Sequence, residues 1–109
     1  MAFDVVTTAR YDEALETAVT YRLSFFGSRS ARALLVDQEA LESRLAAFPF
    51  SGAPVDTQAL DTSGDVLRWS SVGPYVAIYE TDSVTKRVIL ELLFYSREDW
   101  RAKVGKVTR

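Results

Sequence analysis

Apolar and polar residues alternate from position 66 onward, and this alternation predicts a β-sheet. In the stretch 66–72, Leu67 and Trp69 alternate with Arg68 and Ser70. A period of two gives a strand one apolar face and one polar face. Gly73-Pro74 follows, and a turn is expected there because proline has no N–H to donate to a neighbouring strand.

Two further strands are predicted after this turn. Residues 75–81 are rich in β-branched and aromatic side chains, which are typical of strands, and residues 82–85 have the composition of a turn. Residues 86–95 form the most apolar strand, which we expect to be flanked by other strands. The alternation is expected to place four of its side chains on one face: Val88, Leu90, Leu92 and Phe94.

Two helices are predicted upstream, after a short strand at 2–7. Thr7 or Thr8 can cap the first helix, 9–26, and Gly27 can end it. The second helix, 30–48, ends before Pro49. Because few residues join them, the helices should pack as an antiparallel hairpin. Helical spacing predicts that one face of each is buried: Tyr11, Ala14, Leu15, Ala18, Arg22 (by its stem) and Phe25 in the first, and Ala31, Leu34, Leu35, Gln38, Leu41, Leu45 and Phe48 in the second.

The remaining segments complete the predicted architecture. Residues 49–65 show no periodicity and predict a long loop that Phe50, Val55 and Leu60 pin to the body. A short helix starting at Ser96, with Asp99 completing a capping box, is expected at the end. The result is an α+β fold with the order strand, helix, helix, three strands, short helix. The hairpin should cover one face of a mostly antiparallel twisted sheet and leave the other at least partly open.

Composition limits the chemistry of this chain. At 109 residues with 48% hydrophobic residues, a single packed domain over 1–104 is expected, with 105–109 as a frayed tail. The sequence contains no cysteine and no histidine. Disulfides, histidine general bases and zinc sites of the usual nitrogen and sulfur ligands are therefore excluded, and no metal or cofactor is expected. Any acid–base chemistry must use carboxylates, tyrosine, lysine or arginine.

Charge is distributed unevenly along the chain. Residues 1–65 hold 5 Lys/Arg against 10 Asp/Glu, whereas residues 66–109 hold 8 against 5. The predicted sheet is thus in the basic half, although the excess is small for binding a polyanion. The start of the chain lacks the pattern of a signal peptide, and no stretch is long and apolar enough to span a membrane, so a cytoplasmic location is expected.

Two segments resemble the RelE/ParE toxins of bacterial type II toxin–antitoxin modules, also called plasmid stabilisation system proteins. The run PYVAIYETDSVTKRVILELLFYSREDWRAKV is similar to the C-terminal half of that family. There a tyrosine-rich strand leads through an acidic turn into an apolar strand and a charged cluster. The upstream segment ALLVDQEALESRLAAFPFSG is similar to the family's second helix, including its Phe-Pro ending.

The resemblance implies a RelE-like fold and a toxin that a small antitoxin holds inactive. RelE-like members cut messenger RNA inside the ribosome with polar residues of the open sheet face. ParE-like members share the fold but inhibit DNA gyrase without catalytic residues. Fold alone does not choose between these targets. A degenerate member that only binds its antitoxin is a third alternative, and a homodimer is left open.

Four residues are candidates for catalysis if the chain is a nuclease. Cleavage by a 2′-hydroxyl requires a proton acceptor and cations that stabilise the phosphate charge. Arg68 and Arg97 match positions that are basic in the family that the chain resembles. The alternative for each is a solvated surface residue without a catalytic role. Glu91, with Glu80 on the same face, can accept a proton or form an ion pair with Arg68 or Arg97. Tyr95 at the strand end can stack on a base.

One position departs from the nuclease pattern. RelE-like nucleases carry an arginine directly after the first tyrosine of the middle strand, where this chain has Val76. Loss of a charged contact to the transition state commonly costs several kcal/mol. The ribonuclease interpretation is therefore weakened by Val76, by the lack of histidine and by the acidic balance of the chain. These features favour the gyrase inhibitor and the degenerate member, while Arg68 and Arg97 keep the ribonuclease interpretation open.

Overall fold

The computed structural model describes residues 2–55 and 67–107, which form three helices and a five-stranded sheet. Compared with the predicted order of elements, the structure contains one additional strand, of two residues, after the helical hairpin. The elements in chain order are β1 (Asp4–Thr7), α1 (Ala9–Phe26), α2 (Ser28–Ala47), β2 (Ala53–Pro54), β3 (Arg68–Val72), β4 (Tyr75–Asp82), β5 (Arg87–Tyr95) and α3 (Trp100–Val107).

The sheet has the strand order β1-β5-β4-β3-β2. The β1 strand runs parallel to β5, and the other neighbours are antiparallel. The prediction of a mostly antiparallel sheet is therefore confirmed. The apolar strand β5 lies between β1 and β4, as its composition predicted. None of the helices in residues 2–55 and 67–107 has the length and apolar character that a membrane crossing requires.

The helical hairpin forms where the local signals predicted it. The Thr8 side chain accepts a hydrogen bond from the Tyr11 backbone N–H at 3.1 Å and caps α1. Gly27 has a φ of +91°, which favours glycine, and its N–H bonds the Leu23 carbonyl. One residue thus ends α1 and starts α2, so the two helices pack side by side.

The first core lies between the hairpin and the sheet. It contains residues from α1, α2 and the facing side of β3, β4 and β5, including Tyr11, Leu41, Leu45, Tyr79 and Leu90. Three residues that helical spacing assigned to the core are exposed instead: Phe25, Leu35 and Phe48. Phe25, near the end of α1, packs instead on Tyr21 of the same helix, with 4.8 Å between the ring centres.

A smaller second core fills the opposite face of the sheet. Trp100 and Val104 of α3 pack on Val76, Ile78 and Leu92, with Val55 and Leu67 at its margin. The short terminal helix therefore covers much of the face that was expected to be partly open.

The start of α3 differs from the prediction of a cap at Ser96. The residues after β5 form a turn in which the Glu98 N–H bonds the Tyr95 carbonyl, and α3 begins at Trp100. Glu98 folds back and accepts a hydrogen bond from the Tyr95 N–H at 2.8 Å. The charged residues after β5 therefore stabilise a turn and do not form the predicted capping box.

Because β5 contains a β-bulge, the predicted orientation of its side chains is wrong. Ile78 pairs with Leu92 and Tyr79 pairs with Leu90, so Glu91 is an extra residue without a partner on β4. The strand changes phase there. Val88 and Leu90 accordingly enter the first core, whereas Leu92 and Phe94 face the second.

Candidate functional site

Arg68 holds the segment after the hairpin against the sheet. It pairs with Tyr79 across β3 and β4 and is half-buried. Its Nη1 donates to the Gly52 carbonyl at 2.9 Å, and its guanidinium lies 5.6 Å from the centre of the Phe50 ring. Tyr79 supports the same segment, because its hydroxyl accepts from the Gly52 N–H at 2.7 Å. The Arg68 guanidinium is thus engaged in a structural contact.

Arg97 lies away from Arg68, beyond the end of β5. It is exposed in the turn after β5, and it makes no hydrogen bond or ion pair with any residue that the structure describes. Arg68 is level with Tyr79, whereas the chain leaves β5 level with Tyr75, about 13 Å further along the strands. The structure therefore does not bring Arg68 and Arg97 together on one basic face.

Glu80 and Glu91, by contrast, are brought together. Burial, the charge of Glu80 and a side-chain hydrogen bond between the two carboxyl groups raise the pKa of Glu91 to about 6. The positive charge of Arg10 opposes this rise. The bulge is tied down by Thr8, whose Oγ1 donates to the Glu91 carbonyl at 3.0 Å.

This carboxyl pair can exchange a proton near neutral pH, which is the property required of a general acid or base. The two predicted cations, Arg68 and Arg97, lie too far from this pair to act with it, however. Arg68 is separated from Glu91 by the whole of β4, a distance of about 10 Å across the sheet, and Arg97 lies beyond the end of β5. Arg10 at the start of α1 is the cation whose charge acts on Glu91. The described residues contain no group of three or more acidic side chains that could hold a metal ion.

Tyr95 lies in the wall of a groove that sequence reasoning did not identify. The groove, about 980 Å³ in volume, runs between α1 and the end of β5. The Tyr95 ring is partly exposed and meets the Tyr75 ring edge-on, with 5.6 Å between the centres. Tyr75 is buried, as is Tyr79. The wall that α1 contributes includes Ala14, Thr17, Ala18, Tyr21, Arg22 and Phe26.

Arg22 is the charged residue between the aromatic side chains of this groove. Its guanidinium carbon lies 4.9 Å from the centre of the Phe26 ring and 5.5 Å from that of Tyr75. Its Nε is buried and has no hydrogen-bond acceptor among the residues that the structure describes. The aromatic density near the end of α1 (Tyr21, Phe25 and Phe26) was the sequence signal for this surface, since apolar residues crowd there around more than one side of the helix.

The opposite face of the sheet is apolar around Val76. Val76 is 4% exposed and lies beneath α3. Beside it the rings of Trp69 and Trp100 are 5.4 Å apart, and the Arg101 guanidinium stacks 4.2 Å from the Trp100 ring centre. A longer polar residue at position 76 would have to displace Trp100 before it could reach solvent.

Comparison with solved structures places this fold among known proteins. A chain of the chromosomal ParDE TA system from P. aeruginosa superposes with a TM-score of 0.65 at 14% identity, covering 86% of this chain and 96% of that chain. A chain of the archaeal RelE-RelB complex from Pyrococcus horikoshii OT3 superposes with a TM-score of 0.55 at 17% identity, covering 90% and 99%. No family model matches the sequence, and no curated protein matches it in sequence. The RelE-like fold predicted from the sequence is confirmed.

Proposed function

We propose that this chain is the toxin of a type II toxin–antitoxin module and that a cognate antitoxin holds it inactive. The observation that carries the proposal is the shared fold over nearly the whole length of two chains from such systems, ParDE and RelE-RelB. The two sequence segments that resemble RelE/ParE toxins, 33–52 and 74–104, support it independently. The proposed toxin domain is residues 1–104, and the proposed place of action is the cytoplasm.

The proposed mode of action is binding to a target rather than cutting it. Two features support this mode: Val76 lies in an apolar core under Trp100, and Arg68 and Arg97 lie about 13 Å apart along the strands. A surface that only binds its target needs no convergent catalytic groups. DNA gyrase is the target that the ParE resemblance implies.

Ribosome-dependent cleavage of messenger RNA is the second candidate. One observation favours it, namely the Glu80–Glu91 pair with Arg10 close by and a Glu91 pKa of about 6. In that mechanism Glu91 would accept the proton of the attacking 2′-hydroxyl. Tyr95, partly exposed at the end of the same strand, would stack on a base.

Inducible expression in a bacterial host tests both candidates. We expect growth arrest, intact messages and a DNA-damage response. Arrest with new cuts in translated messages would instead establish the nuclease, and a folded, abundant protein that leaves growth unchanged would remove the toxin proposal.

A matched pair of variants sharpens this experiment. Glu91→Gln keeps the size of the side chain and removes its proton acceptor. Toxicity is expected to survive this change if the protein acts by binding. Arg32→Gln, at an exposed position on α2, serves as the control substitution.

The partner is identified in the same host. Genomic fragments from the source organism are co-expressed with the toxin, and fragments that restore growth are recovered. A small neighbouring protein that restores growth and co-purifies with the chain is the expected antitoxin. Failure of every fragment to restore growth in a host that the chain arrests would contradict the proposed partner.

A further inference from the structure

The side of α2 that points away from the sheet carries two opposite charges around an exposed apolar residue. Leu34 and Leu41 are buried on the inward side of the helix. At 3.6 residues per turn, Arg32, Val36 and Glu39 lie together on the opposite, outward side. Val36 is 58% exposed, and both charged residues are exposed as well. These three residues define the outer face of α2.

The charges of this outer face are not compensated within the helix. The positions three and four residues away from Arg32, and from Glu39, hold no residue of opposite charge. Among the described residues, neither side chain forms an ion pair. Arg29 adds a second positive charge in the first turn of α2, which contains no acidic residue. Positive charge is unfavourable there because of the helix dipole. The face is therefore basic toward the start of α2 and acidic further along.

This charge pattern is complementary to a second copy of itself. Arg32 lies four residues before Val36, and Glu39 lies three residues after it. A two-fold axis at Val36 would set α2 of one copy antiparallel to α2 of the other, as in the symmetric contacts of most homodimers. Each arginine would then lie opposite a glutamate, and the two helix dipoles would oppose each other. A parallel arrangement would instead bring like charges together, so the pattern favours the antiparallel one.

We propose that the outer face of α2 binds a second copy of this chain in an antiparallel, two-fold symmetric dimer. Arg32 of each copy pairs with Glu39 of the other, and the two Val36 side chains cover each other at the axis. The inference goes beyond the proposed function and does not depend on it, because the outer face of α2 and the sheet lie on opposite sides of the helix.

The size of the contact sets its expected strength. Helix α2 has 20 residues, and a helix of this length is about 30 Å long. A contact along one such helix is smaller than the roughly 800 Å² per partner of a standard interface. A weak dimer is therefore expected, with a dissociation constant on the order of 0.1 mM. It should weaken further as salt is added, since salt screens exposed ion pairs.

Two charge-reversing substitutions test the pairing. In Arg32→Glu the interface would contain four carboxylates, and in Glu39→Arg it would contain four guanidinium groups. Analytical ultracentrifugation of the purified full chain measures the dissociation constant. We expect each variant alone to dimerise at least tenfold more weakly than the unchanged protein, because attraction becomes repulsion at both contacts. An equimolar mixture of the two variants should dimerise about as strongly as the unchanged protein, since the glutamates of one then face the arginines of the other.

A matched control separates this effect from net charge. Arg97→Glu makes the same change of charge outside α2 and should leave the dissociation constant unchanged. Both α2 variants are expected to fold, because a new acid toward the start of the helix and a new base further along suit its dipole. Their circular dichroism and thermal midpoints verify this.

The exposed rings of the groove offer a different route to self-association. Tyr21, Phe26 and Tyr95 can bring two copies together by apolar contact, and such a dimer would not respond to the charges at positions 32 and 39. A dimer of unchanged strength in both α2 variants would therefore overturn the proposal. It would equally be overturned by an unchanged protein that stays monomeric at millimolar concentration, or by a mixture that dimerises no better than its components.

Discussion

Tyr11 of α1 donates its phenolic hydrogen to Oε1 of Gln38 on α2 at 2.6 Å, and both side chains are buried. Gln38 makes a second hydrogen bond, in which its Nε2 donates to Oε2 of Glu42 at 2.9 Å. Burial raises the pKa of Tyr11 far above its ordinary value, so the phenol remains a donor throughout the physiological range. This chain of polar groups fixes how the two helices of the hairpin lie against each other.

Replacing Tyr11 by phenylalanine should therefore weaken the hairpin. The change leaves a buried acceptor on Gln38 unsatisfied, which costs about 1–2 kcal/mol. Chemical denaturation measures the loss. The double variant Tyr11→Phe/Gln38→Leu removes both polar partners and should be destabilised by less than the sum of the single changes. Simple additivity would show that the contact contributes no coupling.

The Glu80–Glu91 pair predicts a pH dependence of stability. Because the pKa of Glu91 rises from 4.5 to about 6 on folding, the folded state binds its proton more tightly than the unfolded state. This contribution is fully present below about pH 4.5 and is lost as the pH rises through 6. Since the group is about half exposed, solvent screening limits the effect to about 1 kcal/mol.

The variant Glu91→Gln isolates that contribution. Its free energy of unfolding should equal that of the unchanged protein near pH 4.5 and exceed it by about 1 kcal/mol at pH 8. Chemical denaturation at each pH measures this difference. Glu80→Gln should move the midpoint of the difference to lower pH without abolishing it, because burial is the larger cause of the shift. A difference that grows toward acid pH would contradict the assignment.

Arg68 and Arg97 are expected to respond differently to alanine substitution. Arg68→Ala removes the bond to the Gly52 carbonyl and the contact with Phe50, at a cost of about 1 kcal/mol, or roughly 4–6 °C in Tm. Arg97→Ala should leave Tm within about 1 °C, because such surface changes are usually small. Thermal unfolding of both variants provides the comparison, and equal losses would contradict it.

Toxicity assays on the same two variants then separate structure from function. If either arginine contacts the target, its alanine variant loses toxicity beyond what its stability change explains. Arg97→Ala is the cleaner test, because its fold should be unaffected. Unchanged toxicity in both variants would remove them as site residues.

Trp100 is predicted to hold α3 on the sheet. Its side chain is 5% exposed and packs with Trp69 over Val76 and Ile78. Trp100→Ala should cost about 3–4 kcal/mol, the range for a large aromatic lost from a core. Arg101→Ala is the adjacent control, since it removes only an exposed stack on the same ring, and it should cost less than about 1 kcal/mol. Similar losses in both variants would indicate that α3 is not anchored by Trp100.

Much of this fold could be predicted from local sequence because its signals are local. The caps at Thr8 and Gly27 placed α1 at 9–26, which matches Ala9–Phe26. The Gly73-Pro74 turn and the alternation around it placed three antiparallel neighbours in the right order. The sequence placed Glu80 and Glu91 on one face and predicted that either accepts a proton or pairs with Arg68 or Arg97, whereas the structure brings the two carboxyl groups together.

The features that sequence reasoning missed depend on contacts between distant segments. The bulge at Glu91 follows from how β5 must fit both β4 and the turn at Thr8, so strict alternation misassigned Leu92 and Phe94. Likewise, nothing local distinguishes Phe25, which is exposed, from Leu34, which is buried. Position 60, expected to pin the loop, lies outside the described residues.

The sequence by itself determined the first strand, the helical hairpin and the three later strands in their order, the absence of thiol and imidazole chemistry, and the resemblance to RelE/ParE toxins. These depend on residue type and spacing within single segments. Only the tertiary structure decided that α3 covers Val76, that Arg68 and Arg97 lie apart, and that Arg22 is held among aromatic rings in a groove. The physical reason is that burial and distance arise from packing between segments far apart in the chain, and such contacts leave no periodic trace in any one of them.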